Sequence, residues 1–174
     1  MTFLENQYIK LRAPELSDLD LLYVWENDTS LWNTGCTLTP FSKQVLEKYL
    51  QTAHLDLYET RQLRLMIDLK EKNRTIGSID LYEFEPYHNR AGVGILIASE
   101  SDRNKGFGNY SLQLLIQYSF QILGLKQLYC SIDTSNIQSI NLFQKNSFQI
   151  VGIKKSWSKR GNNWIDECFM QLIN

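Results

Sequence analysis

Arg103-Asn104-Lys105-Gly106-Phe107-Gly108 joins two segments of opposite character. Before it stands Ala91-Gly92-Val93-Gly94-Ile95-Leu96-Ile97-Ala98, apolar enough to be a strand covered on both faces. After it, residues 108–123 carry Leu112, Leu115, Ile116, Phe120 and Leu123 at helical spacing, and Gly124 ends the run. A buried strand, a turn with two glycines and an amphipathic helix therefore follow one another. Glycine lets the backbone come close to a ligand. The first amides of the helix point outward at the positive end of its dipole, which is a geometry that holds a pyrophosphate. Arg103 and Lys105 add positive charge. A plain glycine-containing helix entry matches so short a motif about equally well. A dinucleotide site fits worse, because a third glycine and an acid about 20 residues on are missing.

Outward from this core the pattern is legible on both sides. Gln127 to Ile132 reads as a strand and 136–146 as a shorter helix. Strands at 148–157 and 163–172 flank the turn Lys159-Arg160-Gly161-Asn162. Toward the N-terminus, residues 8–12 suit a strand that stops before Pro14. Ser17 offers a cap for a helix with Asp18 and Asp20 in its first turn and Leu19, Leu22 and Tyr23 on its apolar face. Ser42 opens a second helix along Leu46, Tyr49, Leu50, Ala53 and Leu57. Leu63, Leu65, Ile67 and Leu69 alternate with Arg64, Met66, Asp68 and Lys70, the period of a half-buried strand. The polar turn 71–74 leads to a return strand over 75–84, ended by Pro86. Strands and helices in this order predict one α/β domain over residues 1–174, with a mixed, mostly antiparallel sheet.

Composition narrows the function classes. Lys and Arg total 18 against 19 Asp and Glu, so no basic excess recommends a nucleic-acid binder. The apolar run 91–98 is too short to span a membrane, and Met-Thr-Phe-Leu-Glu-Asn-Gln does not read as a signal peptide. Cys36, Cys130 and Cys168 form no Cys-x-x-Cys pair, which predicts free thiols in a reducing, cytoplasmic setting. His54 and His88 are not at ligand spacing, and no metal is expected.

A second block, Asn136-Ile137-Gln138-Ser139-Ile140-Asn141-Leu142-Phe143-Gln144-Lys145-Asn146-Ser147-Phe148, follows the next strand. With Arg-x-x-Gly-x-Gly before it, the pair resembles the GCN5-related N-acetyltransferases (GNAT). Ile9-Lys10-Leu11-Arg12 through Trp25-Glu26-Asn27-Asp28, and His88-Asn89-Arg90-Ala91, resemble the branch with ribosomal-protein N-terminal and spermidine acetyltransferases. The resemblance runs over nearly the whole chain. It implies a seven-stranded mixed sheet with about four helices. It also implies acetyl-CoA (coenzyme A) as cofactor, and direct attack of a primary amine on the thioester. The acceptor would be a protein N-terminal α-amine or a polyamine such as spermidine. Neither a nucleic acid nor a membrane is an expected partner, and a homodimer is possible.

Carried over residue by residue, the resemblance gives the amides of Arg103, Asn104, Lys105, Gly106, Phe107 and Gly108 to the pyrophosphate. Leu96, Ile97 and Ala98 would pair with the pantetheine arm in a gap beside residues 128–130, and an amide near Ile97 would face the thioester oxygen. Asn136 would bond near the arm, and asparagine is equally a helix cap. Asp80, Glu83 and Glu85 are candidates to take the amine's proton. Strict alternation puts Asp80 on the opposite face from the other two, and Glu83 best matches an acidic position of the spermidine-type enzymes. Trp32, in Trp32-Asn33-Thr34-Gly35, would border the acceptor with Glu83 and Glu85. Tyr23, Trp25, Trp157 and Trp164 read more simply as core.

Three positions depart from the family pattern. Phe143 stands where many relatives have a tyrosine thought to protonate the leaving thiolate, with Ser139 or Tyr129 as possible substitutes. Gly92 replaces a frequent glutamate, and Ser147 a usual glycine, the last a matter of a turn. Phe143 and Gly92 also motivate a rival reading, a non-catalytic acyl-CoA-binding module. A third reading is an α/β domain whose glycine turn holds another phosphate ligand.

Overall fold

The computed structural model describes residues 3–32, 37–52 and 55–174. Cys36, His54, Ala53 and the stretch Asn33-Thr34-Gly35 lie outside them. Seven strands form one sheet: β1 (Ile9–Arg12), β2 (Leu63–Leu69), β3 (Arg74–Glu85), β4 (Arg90–Ile97), β5 (Gln127–Asp133), β6 (Gln149–Arg160) and β7 (Asn163–Ile173). Their order across the sheet is β1-β2-β3-β4-β5-β7-β6. Six helices are described: α1 (Leu19–Asn27), α2 (Thr29–Trp32), α3 (Lys43–Thr52), α4 (Leu57–Thr60), α5 (Phe107–Gln121) and α6 (Ile137–Lys145). α2 and α4 are single turns of four residues, and Leu57, which the periodicity assigns to the second helix, belongs to α4 because α3 ends at Thr52 and Asp56 caps a new turn. The rest follow the predicted order.

Every strand pairing is antiparallel except β4 with β5, which α5 connects as a crossover. The larger core lies between the sheet and the layer of α5 and α6, with Ile67, Ile79, Leu81, Val93, Leu112, Leu115, Leu128 and Phe143 buried in it. Each fully buried aliphatic side chain there contributes about 1.5–3 kcal/mol. Cys130 and Cys168 are free thiols on this core side, and burial raises both, Cys130 well above an ordinary thiol's range. On the other face a smaller cluster joins Leu22 of α1 and Leu46 and Leu50 of α3 to Met66 of β2. β2 is therefore covered on both faces over its middle, not half-buried as alternation suggested, because α1 and α3 lie on its second face. Among the described residues no helix is long and apolar enough to cross a membrane.

Local chemistry sets the element ends. Ser17 is not the cap of α1; Asp18 stands at that position, and its side chain bonds backward along the chain, not to the helix amides. Its carboxylate accepts the Glu15 amide at 2.8 Å and both terminal nitrogens of Arg12 at 2.7 and 2.8 Å. Burial raises the Asp18 pKa, but Arg12 and the amide outweigh it and hold the carboxyl low. Arg12 also reaches Asp68 at 2.7 Å, tying β1, β2 and the entry of α1 together. Ser42 does cap α3, accepting from Val45 N–H at 3.2 Å. Trp157 and Trp164 are not core: each is 60% exposed, because β6 is an edge strand and no element covers its hairpin with β7. That hairpin closes through Gly161-Asn162 alone, so β6 runs three residues further into the turn than the sequence suggests, while β7 begins at Asn163 as expected. Arg160 is not simply solvated, since it pairs with Asp133 at 2.7 Å.

After α6 the chain turns through Ser147 at φ 69°, and the Phe148 N–H closes on the Phe143 carbonyl at 3.1 Å. This left-handed conformation is why glycine suits the position. Serine there is strained by about 1–2 kcal/mol, and relief of that strain by glycine is partly offset by the higher conformational entropy that glycine would bring to the unfolded chain. Ser147→Gly is expected to raise stability by about 0.5–1 kcal/mol, read as a higher melting temperature with unchanged urea m-value.

Candidate active site

β4 and β5 share three residue pairs, Arg90↔Gln127, Ala91↔Leu128 and Gly92↔Tyr129, and then separate. β4 runs on to Ile97 paired only with β3, and β5 runs on to Asp133 paired only with β7. The result is a fork with its base at Gly92 and Tyr129. The Ala98 N–H donates to the Ile76 carbonyl at 3.0 Å. By antiparallel alternation, this turns the even-numbered backbone groups of β4 toward β3 and those of Val93, Ile95 and Ile97 toward the fork. Of Leu96, Ile97 and Ala98, it is Ile97 whose amide faces the gap, while Leu96 and Ala98 are turned to β3.

The turn at the open end is pinned from two sides. Arg103 Nε donates to the Ile97 carbonyl at 3.0 Å and Nη2 to that of Ala98 at 3.1 Å. The guanidinium thus fastens the turn to the end of β4. Asp102, 3% exposed, takes a two-pronged grip from Arg74 at 2.8 and 2.6 Å, which holds its carboxyl below the usual range. Asn104 and Gly106 are left-handed, at φ 60° and 87°. The first bond inside α5 is Tyr110 N–H to the Gly106 carbonyl, so the amides of Phe107, Gly108 and Asn109 point out of the helix end. Gly108 sits against Leu142, Ile95 and Ile97, where an added Cβ would approach at 3.5, 3.8 and 3.9 Å. Asn136 caps α6, accepting the Ser139 N–H at 3.2 Å. An open strand edge and a pinned set of outward amides suit an extended arm that carries a pyrophosphate, as coenzyme A does.

At the base of the fork lies the second half of the site. Strict alternation fails on β3, because a bulge separates the pairs Tyr82↔Gly92 and Glu85↔Arg90 and Glu83 adopts φ 48°. Glu83 therefore reaches the face that carries Asp80 and Tyr82, contrary to the alternating assignment. Its carboxylate accepts the Tyr129 hydroxyl at 2.7 Å, and this bond crosses from β3 to β5 over Gly92. Burial first, then the bond to Glu83, raise Tyr129 well above an ordinary phenol. The Tyr82 ring fills the place of a Gly92 side chain: a Cβ there would lie 2.3 Å from it. Phe143 is buried at 2% exposure, edge-on to Phe148. Ser139 belongs to α6, on the α5 side of the sheet. The structure thus brings Glu83 and Tyr129 together and leaves Ser139 apart.

Other carboxylates near this face have cationic partners. Arg64 bonds Asp80 at 2.8 Å and Glu26 at 2.8 Å, a half-buried group that sequence reading missed because its members are far apart in the chain. Burial raises the Asp80 carboxyl even beside Arg64. Glu85 pairs with Arg90 at 3.0 Å. Trp32 is half-buried at the end of α2, its indole N–H donating to the Glu26 carbonyl at 2.7 Å.

Residues 9–149 match the family model described as an acetyltransferase (GNAT) domain. The spermidine N(1)-acetyltransferase of Vibrio cholerae is 27% identical over 143 residues, covering 82% of this chain and 80% of that protein. The crystal structure of the spermidine N-acetyltransferase from Vibrio cholerae with CoA and spermine superposes with TM-score 0.84 at 23% identity, over 97% of this chain and 96% of that one. The ribosomal-protein-S5-alanine acetyltransferase from Vibrio fischeri superposes with TM-score 0.85 at 16% identity, over 98% and 95%.

Asp102→Asn is expected to loosen the pinned turn. At neutral pH it should cost about 1–2 kcal/mol, the low end for a charged bond because Arg74 is 41% exposed. That corresponds to roughly 2–8 °C in melting temperature, together with weaker coenzyme A binding by calorimetry. A carboxyl depressed by folding stabilises above its unfolded pKa, near 3.9, and loses this contribution as pH falls through the folded value. The gap between variant and wild type should therefore close below about pH 4.

Proposed function

The chain belongs to the GNAT acetyltransferase family and is an acetyl-CoA-dependent N-acetyltransferase, and from that premise we propose that Glu83 and Tyr129 handle the protons while the acceptor is a primary α-amine. The observation that carries this reading is the 2.7 Å bond between the two side chains across the base of the fork.

Acetyl-CoA supplies an activated thioester carbonyl that a neutral amine attacks, giving an amide and the free thiol. The chain supplies position and proton transfer. The amides of Phe107 and Gly108, with the turn 103–106 behind them, hold the pyrophosphate. The Ile97 amide, turned toward the fork, faces the carbonyl oxygen. Asn136 stands beside the arm while it caps α6. Glu83 takes the proton that the acceptor nitrogen must lose. Tyr129, kept protonated by its raised pKa, gives its proton to the departing sulfur. The bond between them then returns the proton from Glu83 to Tyr129 Oη, so both groups end as they began. A thiol ionises near 8.5, so the sulfur leaves even without a donor, and the chemistry tolerates Phe143.

An α-amine is favoured because Glu83 is the carboxylate at the fork held by a hydroxyl rather than a cation. Glu26 and Asp80 share Arg64, and Glu85 has Arg90. A polyamine brings several charges and needs several carboxylates. Likeness to the spermidine acetyltransferase of Vibrio cholerae supports a polyamine as the second reading, with Trp32, Glu83 and Glu85 beside it.

The test is coenzyme A release with a panel of amines, blanked for the native thiols. Glu83→Gln is expected to lower kcat/KM by roughly 10²–10⁴ at neutral pH with the acetyl-CoA affinity retained. Tyr129→Phe should cost less, about tenfold, because thiolate is a fair leaving group. Wild-type kcat should show no alkaline loss near pH 10, where an ordinary tyrosine ionises. Acetyl-CoA, and not ATP or NAD, should raise the melting temperature, by the equivalent of about 2.7 kcal/mol at 100 times Kd. Full activity in Glu83→Gln would exclude it as the base, and cofactor binding with no turnover would favour an acyl-CoA-binding module.

A further inference from the structure

Lys154 of β6 is half-buried on the face of the sheet that carries Tyr129. Its ammonium donates to Ser131 Oγ at 2.8 Å. It stands 4.8 Å from the ring centre of Trp157 and 5.0 Å from that of Phe169. Among the described residues no carboxylate forms an ion pair with it. Its cross-strand neighbour Glu167 is instead engaged by the Ser158 hydroxyl. The Phe169 ring that flanks the ammonium also meets the Tyr129 ring, with centroids 5.7 Å apart. One aromatic ring, Phe169, is therefore shared by a cation and by the tyrosine that bonds Glu83.

This stretch is open. α1 and α3 cover the same face over β2, where Leu22, Leu46 and Leu50 enclose Met66. Tyr129, Ser131 and Phe169 are only half-buried. Ser131 lies two residues beyond Tyr129 on β5, past the last pair with β4, so the cation borders the opened part of the fork. Two aromatic faces favour the ammonium and hold it in place, but they do not neutralise it. The hydroxyl accepts one of its three protons, and the others remain available to an anion.

We propose that Lys154 binds a carboxylate of the acceptor, so that the acceptor is a zwitterion of the α-amino-acid class: amine at Glu83, carboxylate at Lys154. This rests on the acetyltransferase reading and narrows its substrate. A polyamine in the same place would set a second ammonium against Lys154, which like-charge repulsion disfavours.

The test compares L-α-amino acids, their α-carboxamides and spermidine as acceptors for wild type, Lys154→Met and Lys154→Arg, by coenzyme A release. Wild type should prefer the acids over the carboxamides by about 10- to 100-fold in kcat/KM, the worth of one charged hydrogen bond. Lys154→Met should remove that preference through KM for the acids, while the carboxamides shift less than about threefold. Lys154→Arg should retain part of it. The acetyl-CoA-dependent rise in melting temperature, present in all three proteins, shows that each variant is folded and loaded. An unchanged acid-to-carboxamide ratio in Lys154→Met would overturn the proposal, as would better use of spermidine than of any amino acid by wild type. Failure of the acetyltransferase reading looks different: no amine turned over and no response to acetyl-CoA, which sinks both.

Discussion

Two parallel strands that part after three residue pairs organise everything else in this molecule. Unpaired strand edges inside a sheet carry a large cost unless something satisfies their backbone groups. Here one edge ends on a guanidinium, because Arg103 takes the carbonyls of Ile97 and Ala98. The remaining groups face the gap and await an extended partner. Separation also demands that β4 lean onto β3. At Gly77 the two backbones are so close that a Cβ would lie 1.9 Å from the Leu96 carbonyl oxygen. Glycine at that position is a condition of the fork.

Charge is distributed to match. The open end of the fork is built of outward amides and an arginine bonded to strand carbonyls, with Asp102 neutralised by Arg74. Beside the base of the fork lies a half-buried Glu26–Arg64–Asp80 group, which fixes α1 against β2 and β3. Those three side chains act as structure. Their mutual satisfaction sets them apart from Glu83, which among the described residues is held by a phenol, and the proposed mechanism gives the proton exchange to Glu83 for that reason. The assignment of roles thus comes from which charges are already paired.

Much of this is legible in the sequence. Strand, glycine turn and helix at 91–123 are recovered as β4, the turn and α5, since periodicity and glycine placement are local signals. Gly77, Gly92 and Ser147 show where such reading stops. The need for glycine at 77 and 92 arises from a neighbouring strand, and the strain at 147 from the exit of a helix. Resemblance points to Glu83, but alternation, which puts it on the opposite face from Asp80, fails there, since one extra residue in a bulge reverses every facing beyond it. Arg64 lies 38 residues from Glu26 and 16 from Asp80, so only the fold unites them. Trp157 and Trp164 seemed core by type, yet an edge strand leaves them exposed.

The ring of Tyr82 over Gly92 has a bearing on how such chains diverge. The volume that a side chain on β4 would occupy is filled from β3 instead. Neither position can then drift alone. A larger residue at 92 needs a smaller one at 82, and a smaller residue at 82 opens a void at the base of the fork. The two form a single heritable unit, and a lineage crossing between a glutamate on the central strand and a tyrosine from its neighbour must pass through a poorly packed ancestor or change both codons together.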